Sequence, residues 1–279
     1  PINWCPKDKT GLANEEVVNG CCDRCGTKVV RKNVRQWILA ITKYADRLLN
    51  ELNGLDWPEA IVEMQKNWIG RSEGALIKFP ISNVQSPISN TIEVFTTRAD
   101  TLFGATYMVI APEHPIVASL LSNKQQVTSK KLQEIKNYVE KSSHKSDLER
   151  TDLAKQKTGV STGLYAVNPI NDEKIPIWIS DYVLASYGTG AIMAVPAHDE
   201  RDWEFAKKFN LPIKHVIKPE KSEIDAQGEV FVEYGTLINS AKYSGLHSKE
   251  AIAMIITDLK KVELAAPTVQ YRLRDWIFS

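Results

Sequence analysis

The spacing of apolar residues changes along the chain, and the change falls near residue 70. From Gln36 to Leu52 apolar residues recur at helical intervals, which predicts an amphipathic helix with Asn53-Gly54 at its C-cap. A second, shorter helix is predicted over Pro58–Lys66, with the proline in its first turn. Glycines and prolines interrupt residues 1–30, as in a ribbon or loop. We therefore predict a small ribbon and helical segment over residues 1–69.

Beyond Gly70 the apolar positions fall into short runs typical of β-strands, interrupted by helical stretches. The predicted strands are Ala75–Ile81, Thr91–Thr97, Tyr107–Ala111, Lys174–Ile179, Ala191–Val195, Ile213–Ile217 and Glu229–Glu233. The predicted helices are Asp199–Phe209 and Ser248–Lys260. Together these elements indicate a mixed α/β domain over residues 70–270.

The charge and the cysteine content exclude several classes of protein for this chain. The chain of 279 residues has 35 basic and 34 acidic residues, and a net charge of +1 excludes a nucleic-acid binder driven by overall charge. Residues 124–157 are locally basic, and we predict a solvated helical excursion there. Four cysteines are too few for a disulfide scaffold and suit a reducing compartment, the cytoplasm or an organelle. No apolar run approaches the ~20 residues of a membrane-spanning helix, so we expect no membrane contact.

All four cysteines lie within residues 5–25, and Cys22-Asp23-Arg24-Cys25 has the spacing of a zinc knuckle. A second knuckle would need a cysteine at position 8, which is Asp8 in this chain. We expect a ribbon that keeps its hairpin without a metal. In the alternative, Asp8 supplies the fourth zinc ligand beside Cys5, Cys22 and Cys25.

Hydroxyl side chains and an arginine crowd the end of the predicted strand Thr91–Thr97. They are Thr96, Thr97, Arg98 and Thr101. Hydroxyls orient water or hold a ribose, and arginine matches phosphate or carboxylate groups. The alternative is structural, because threonine favours strands and Asp100 or Thr101 can cap a following helix.

A second candidate lies where the strand Ala191–Val195 leads into a helix that begins with His198 and Asp199. Asp199 is placed to be the N-cap, and Asp202 three residues later completes a pattern like a capping box. Carboxylates at the mouth of a helix also suit a cationic ammonium group. The residues alone therefore indicate a binding cleft, without identifying its ligand.

Both stretches resemble the editing domain of leucyl-tRNA synthetases, the connective polypeptide inserted in a class I catalytic core. The similarity rests on Thr96–Tyr107, Ala111–Pro115 and Gly188–Asp202, in this order and at this spacing. Asn3–Pro6 and Asn67–Gly74 are similar to the entry side of the insertion, and residues 271–279 to the strand that returns toward the catalytic core. The resemblance implies a barrel-like sheet surrounded by helices, within a piece of a longer enzyme. The signatures of ATP activation are absent from these residues, so ATP is expected to serve the parent enzyme alone.

The resemblance implies hydrolysis of the ester that joins a noncognate amino acid, such as isoleucine or norvaline, to the 3′ end of the leucine tRNA. Asp202 matches the acidic residue that pairs with the substrate's α-ammonium group, and Thr101 matches the steric gate that excludes leucine. Thr96 and Thr97 match hydroxyls around the ester and the attacking water, and Arg98 matches a residue at the terminal ribose or amino-acid end. The other residues implied to contact substrate are Met193, Val195, Tyr187, His198 and Asp199. We expect no cofactor for editing, a monomer, and tRNA and the rest of the synthetase as partners.

One position departs from the family pattern, because Ala99 stands where proline usually follows the arginine. Proline would fix the turn, whereas alanine depends on its surroundings to hold it. We expect the site to survive this change.

A second function is compatible with the same residues, namely a non-catalytic module that docks tRNA. The basic residues of 124–157 and 24–35 would then contact phosphates, rather than form solvated faces. Substitution of Asp202 separates the two functions, since docking would survive it and hydrolysis would not.

Overall fold

Two units make up the chain, one of Pro1–Gly74 with Thr268–Ser279 and the other of Ala75–Pro267. The computed structural model describes residues 2–32, 34–35, 37–82, 90–122, 127–143, 145, 149–150, 157–185, 188–219 and 230–277. Within these ranges, no helix combines the length and the apolar character needed to cross a membrane.

The first unit has short strands and two helices. Its strands are β1 (Ile2–Cys5), β2 (Thr10–Leu12), β3 (Val17–Val18), β4 (Cys21–Cys22), β5 (Val30–Lys32), β6 (Ile38–Leu39) and β16 (Trp276–Ile277), and its helices are α1 (Ala45–Glu51) and α2 (Glu59–Ile69). Strand β1 lies between β2 and β5, β3 pairs with β4, and β6 pairs with β16, all antiparallel. Helix α2 follows Pro58 and ends at Gly70, whose φ of 59° is left-handed; a Cβ there would lie 2.5 Å from the Cβ of Arg272.

The long helix predicted from Gln36 to Leu52 is wrong over its first half. Ile38–Leu39 form a strand, Ile41–Tyr44 a 3-10 turn, and only Ala45–Glu51 the α-helix. Gln36 itself lies outside the described residues. The Thr42 N–H and hydroxyl both donate to Asp275 Oδ1, at 3.1 and 2.7 Å, and this side-chain bond takes the place of a helical backbone bond.

The second unit is built on a seven-stranded mixed sheet. The strands of this sheet are β7 (Arg71–Ser82), β8 (Thr91–Thr96), β9 (Tyr107–Ile110), β10 (Val160–Val167), β11 (Lys174–Ile179), β12 (Ala191–Ala194) and β15 (Ala265–Tyr271), in the order β12-β9-β11-β10-β7-β15 with β8 on β7. The first residues of β7, up to Gly74, and the last of β15, from Thr268, belong to the first unit. The pair β9 and β11 is parallel, and the pairs β12 with β9 and β7 with β8 are antiparallel. Strand β8 also contacts β12, so the sheet curls back on itself, in agreement with the barrel-like α/β fold implied by the resemblance.

Helices and two short strands surround this sheet. They are α3 (Pro115–Ser122), α4 (Ser129–Ser143), α5 (Glu200–Phe209), α6 (Ser248–Lys261), β13 (Ile217–Lys218) and β14 (Thr236–Leu237). Strand β9 is buried on both faces, with Met108 and Ile110 in one apolar cluster and Tyr107 and Val109 in another. Burial on both faces explains why this strand is a continuous apolar run rather than an alternating one.

Two predicted strands of this unit are largely wrong. Of Ile213–Ile217 only the last residue is in a strand, because the Val216 N–H donates to the ring of His198 rather than to a neighbouring strand. The described part of Glu229–Glu233, residues 230–233, forms no strand. The carbonyls of Phe231 and Val232 accept instead from the side chains of His198 and Arg98.

The basic stretch 124–157 contains α4, as the predicted helical excursion requires, but it is not solvated throughout. Arg150 and Lys157 are each only 7% exposed. The Arg150 guanidinium donates to both carboxylate oxygens of Glu113, at 2.7 and 3.2 Å, and to the carbonyls of Asp181 and Val183. These two cations therefore support the fold and do not face solvent or phosphate.

Candidate active site

The threonine-rich stretch begins where β8 ends. The Thr96 hydroxyl accepts a hydrogen bond from the Arg98 N–H at 3.0 Å, which fixes the turn, while the Thr97 side chain is exposed. Ala99 then begins a 3-10 helix that runs to Gly104 and is fully buried in the core. Packing thus holds the turn that a proline would have pre-formed.

Thr101 lies in that 3-10 helix and is 1% exposed. Its hydroxyl donates to the Arg98 carbonyl at 2.7 Å, and its N–H donates to the same oxygen at 3.1 Å. The N-cap residue is Arg98, which makes no side-chain capping bond, so neither Asp100 nor Thr101 caps the helix.

The Arg98 guanidinium is held on several sides. It pairs with the buried carboxylate of Asp100, with Nε 3.0 Å from Oδ1, and its Nη1 donates to the Val232 carbonyl at 2.7 Å. It also lies 4.6 Å from the ring centre of Tyr234. The side chain is 22% exposed, so part of this cation still faces solvent at the mouth of the site.

The Asp202 carboxylate is the most unusual electrostatic feature of the second stretch. It is 3% exposed; Oδ2 accepts the Val195 N–H at 2.8 Å and Oδ1 accepts the Tyr182 hydroxyl at 3.1 Å. No Lys, Arg or His of the described residues forms an ion pair with it. Burial, reinforced by the negative charge of Asp199, raises the pKa of Asp202 to about 7.

Asp199 is the N-cap of α5, as predicted, and its carboxylate accepts from the N–H groups of Arg201 and Asp202. The Arg201 guanidinium also pairs with it at 3.1 Å. The predicted capping-box pattern is wrong in one respect, since the Asp202 side chain turns to Val195 and Tyr182 and not to the Asp199 backbone.

His198 is buried, and both of its ring nitrogens are engaged. Nε2 accepts the Val216 N–H at 3.1 Å, so Nδ1 carries the proton and donates to the Phe231 carbonyl at 2.8 Å. Burial lowers the pKa of His198 to about 4, so the ring is neutral at physiological pH. This geometry gives His198 a scaffolding role, and its contact with substrate stays a prediction.

Met193 in β12 and Val195, which follows that strand, have buried side chains in the main apolar cluster, together with Ala99 and Leu102. The contact between β8 and β12 brings the strand that carries Thr96 beside the strand that carries Met193. The hydroxyl-bearing turn thus lies beside an apolar wall, and the Val195 N–H at the end of that wall holds the Asp202 carboxylate. Tyr187, predicted to face the terminal adenosine, lies outside the described residues.

Sequence reasoning missed the segment 231–234, which joins the two stretches. The Phe231 N–H donates to the Ala197 carbonyl at 2.9 Å, and the next two carbonyls accept from Arg98. It also missed Tyr182, which bonds to Asp202 from 20 residues away. No local pattern marks such partners, because the fold and not the spacing brings them together.

Comparison with known proteins decides the family. Residues 66–260 match the family model described as the editing domain of leucyl-tRNA synthetase. The chain belongs to this editing-domain family. The leucine–tRNA ligases of Treponema pallidum subsp. pallidum and Elusimicrobium minutum are 51% and 54% identical to it over its whole length.

A solved structure also resembles this editing domain over 99% of its residues, with a TM-score of 0.72 and 34% identity. It is the ternary complex of the LeuRS agnB2 of Agrobacterium radiobacter K84 with tRNA and LeuAMS. The chain covers 30% of that protein, and 33% and 32% of the two ligases. It therefore spans about a third of the length of these relatives.

A candidate metal centre lies outside the region of the family model, in the first unit. The thiols of Cys5, Cys22 and Cys25 and the carboxylate of Asp8 offer four ligand atoms within 4.8 Å of one another. Asp8 Oδ2 is 3.4 Å from both Cys5 Sγ and Cys22 Sγ, and the Asp8 N–H donates to Cys5 Sγ at 3.3 Å. The spacing and the donor set fit a four-coordinate zinc ion. A second zinc knuckle would have a cysteine at position 8, and its absence argued against a metal. The Asp8 carboxylate lies where that thiol would be.

Proposed function

We propose that this editing domain hydrolyses the ester between a noncognate amino acid and the 3′ end of tRNA(Leu). The supporting observation is the buried carboxylate of Asp202, which has two oriented hydrogen-bond donors but no cation paired with it among the described residues. A buried carboxylate without a counter-charge is unfavourable. The α-ammonium group of an aminoacyl ester would supply that charge and fix the amino acid in the site.

In the proposed reaction a water oxygen attacks the ester carbonyl carbon, and the bond from that carbon to the ribose oxygen breaks. One water proton goes to the leaving ribose oxygen, and the other leaves as the amino acid carboxyl ionises. The hydroxyls of Thr96 and Thr97, at the end of β8, would orient the water and the ester. Arg98, with part of its guanidinium exposed, would contact the ribose end.

Isoleucine and norvaline are the proposed noncognate amino acids, because apolar pockets separate side chains of similar size by only about 1–3 kcal/mol. A second, hydrolytic site improves this selection if it rejects leucine. Thr101 would provide that rejection, since its buried side chain stands on the short helix next to the threonine-rich turn. Met193 and Val195 would form the apolar wall.

Asp202→Asn tests this function, because it removes the charge and keeps the shape. We expect hydrolysis of isoleucyl-tRNA(Leu) to fall about 100-fold or more, since one partner of a buried charge pair is lost. Hydrolysis is measured by release of labelled isoleucine, and tRNA binding by titration in parallel. Unchanged hydrolysis in the variant would contradict the proposal, whereas tRNA binding by an inactive wild-type chain would favour the docking module.

The variant should remain folded. The folded-state pKa of Asp202, about 7, lies above the ordinary value of 3.8. Folding therefore favours the protonated carboxyl group. The contribution of this group to the stability of the fold is complete below pH 3.8 and is lost as the pH rises through about 7. Asp202→Asn avoids this loss, so its melting temperature at pH 8 should equal or exceed that of the wild type.

We also propose that Cys5, Asp8, Cys22 and Cys25 hold a structural zinc ion. Bound there, zinc would link the turn that contains Asp8 to the turn between Cys22 and Cys25. The proposed partners are tRNA and the rest of a synthetase. In the two relatives the rest makes up about two thirds of the length. The metal has no part in the hydrolysis proposed for the second unit.

A further inference from the structure

Two tyrosines of the same aromatic cluster bond to Asp202 in different ways. The Tyr182 hydroxyl donates to the carboxylate oxygen Oδ1 at 3.1 Å. The Tyr107 hydroxyl donates to the main-chain oxygen of Asp202 at 2.9 Å. Both rings lie against Phe205, with centroids 5.8 Å away for Tyr182 and 5.3 Å for Tyr107. The two hydroxyls therefore differ in their acceptor and share their surroundings.

We propose that Tyr182 is a positioning residue for the editing reaction, whose hydroxyl holds the Asp202 carboxylate ionised and oriented toward the substrate ammonium group. This role rests on the function proposed above. Tyr182 itself contacts no reacting atom, and it acts through Asp202.

The orientation argument follows from the two-point hold on the carboxylate. The Val195 N–H fixes Oδ2, and the Tyr182 hydroxyl fixes Oδ1, so the plane of the group is defined. With one donor removed, the carboxylate can turn about its Cβ–Cγ bond. An ammonium group that needs both the charge and its direction would then bind less well.

The ionisation argument concerns the state of the two groups. Burial and the charge of Asp202 raise the pKa of the Tyr182 phenol well above its ordinary value, so the hydroxyl stays a donor throughout the physiological range. A hydrogen bond donated to a carboxylate stabilises its charged form. It therefore opposes the burial that raises the pKa of Asp202.

Other charges around Asp202 also affect the protonation equilibrium of its carboxylate. Asp199, at the start of the same helix, favours the protonated form, and Arg201 favours the ionised form. On the side of the sheet, the groups that face Asp202 are the phenols of Tyr107 and Tyr182, which stay neutral. Replacing the Tyr182 hydroxyl therefore changes one contribution and leaves both neighbouring charges in place.

The test compares Tyr182→Phe with Tyr107→Phe, each of which removes one hydroxyl and keeps the ring. The kcat/KM for hydrolysis of isoleucyl-tRNA(Leu) is measured from pH 5.5 to 8.5, together with the melting temperature of each variant. For Tyr182→Phe we expect kcat/KM at pH 7 to fall about 10-fold, with the acid limb displaced to higher pH and much of the loss recovered at pH 8.5. The Tyr107 hydroxyl reaches Asp202 only through the main-chain oxygen and through Tyr182, so for Tyr107→Phe we expect a much smaller displacement of the acid limb.

The outcomes distinguish this role from the function on which it rests. A wild-type chain that hydrolyses the ester, with a Tyr182→Phe profile that overlays it, would overturn the role of Tyr182 alone. Equal losses at every pH in both variants would do the same, since they would indicate a packing effect. A wild-type chain that binds the aminoacyl-tRNA and never hydrolyses it would overturn the proposed function and this role together.

Discussion

In the unit Ala75–Pro267 the sheet is buried by apolar clusters on both faces, whereas in the other unit a buried cluster consists of Cys5, Leu12, Cys22 and Val29. Half of that small cluster is cysteine. Most of the large apolar side chains that are exposed lie in the first unit. They include Trp37, Trp68 and Trp276, at 82%, 72% and 66% exposure. Apolar burial thus stabilises one unit, and the other has much of its apolar surface uncovered.

This difference shows that two parts of one chain can be stabilised in two ways. The second unit has the large apolar core and the candidate site within itself. In the first unit a small core surrounds four potential metal ligands. Large exposed tryptophans are typical of protein interfaces, and we propose that the rest of the synthetase covers them.

Removal of the metal should have the largest effect, and it should be confined to the first unit. Structural zinc contributes roughly 10–16 kcal/mol of apparent binding energy in small zinc domains. We therefore expect Cys22→Ser, or chelation, to abolish zinc binding and hydrogen-exchange protection over β1 to β4. Protection of β9 and α5 should not change. Zinc content is measured by mass spectrometry of the metal, and protection by hydrogen exchange.

Cys21→Ser is the matched control, because Cys21 adjoins Cys22 and lies outside the ligand group. It should retain zinc and protection. A purified chain that contains no zinc and keeps full protection of β1 to β4 would contradict the metal proposal. A loss of protection throughout the second unit would contradict the independence of the two units.

The second effect concerns the core of the second unit. Phe205 is fully buried, with ring centroids 5.3 Å from Tyr107, 5.5 Å from Trp178 and 4.5 Å from Phe209. Phe205→Ala should lower the free energy of unfolding of this unit by about 3–5 kcal/mol, because it leaves a cavity among rings that cannot close around it. Chemical denaturation followed by fluorescence measures the change.

Tyr165→Ala removes an aromatic side chain that is 45% exposed, and it should cost about 1 kcal/mol or less. Equal losses of unfolding free energy in the two variants would contradict the conclusion that apolar burial stabilises this unit. Because Phe205 is on the same helix as Asp202, its variant should also hydrolyse the ester more slowly at temperatures where it remains folded.

The sequence predicts elements well where the apolar residues follow a regular spacing or a continuous run. The predicted helices Asp199–Phe209 and Ser248–Lys260 differ by one residue from the observed α5 and α6. Strand β10 was missed, because the buried Thr162 is polar and the exposed Tyr165 is aromatic, so the alternation of its side chains does not appear as apolar and polar residues. Strand β15 was missed because Pro267 interrupts it, which an edge strand tolerates.

The candidate site shows the same division. Thr96–Thr101 and the start of α5 stand out in the sequence, because their hydroxyl and carboxylate groups lie next to one another along the chain. The second donor to Asp202 and the carbonyls that hold Arg98 come from Tyr182 and residues 232–233. These partners are set by the tertiary fold, so no spacing in the sequence predicts them.

The smallest effect should come from Thr101, and it is a change of selectivity. Leucine and isoleucine are isomers, so a gate must distinguish where the side chain branches and not its volume. Thr101→Ala removes a methyl and a hydroxyl and should admit leucine, raising hydrolysis of leucyl-tRNA(Leu) roughly 10- to 200-fold, the discrimination that one methyl-sized difference provides. The Arg98 carbonyl keeps the bond from the Thr101 N–H at 3.1 Å, so the turn should hold.

Thr101→Ser, which keeps the hydroxyl and its bond to the same carbonyl, should open the site less, whereas Thr101→Phe should fill it and spare both esters. Leucyl-ester hydrolysis is measured for all three variants beside the wild type, and an alanine variant that still spares the leucyl ester would place the gate elsewhere. Since both substrates use the same carboxylate, the Asp202→Asn change should abolish the new leucyl activity together with the old one.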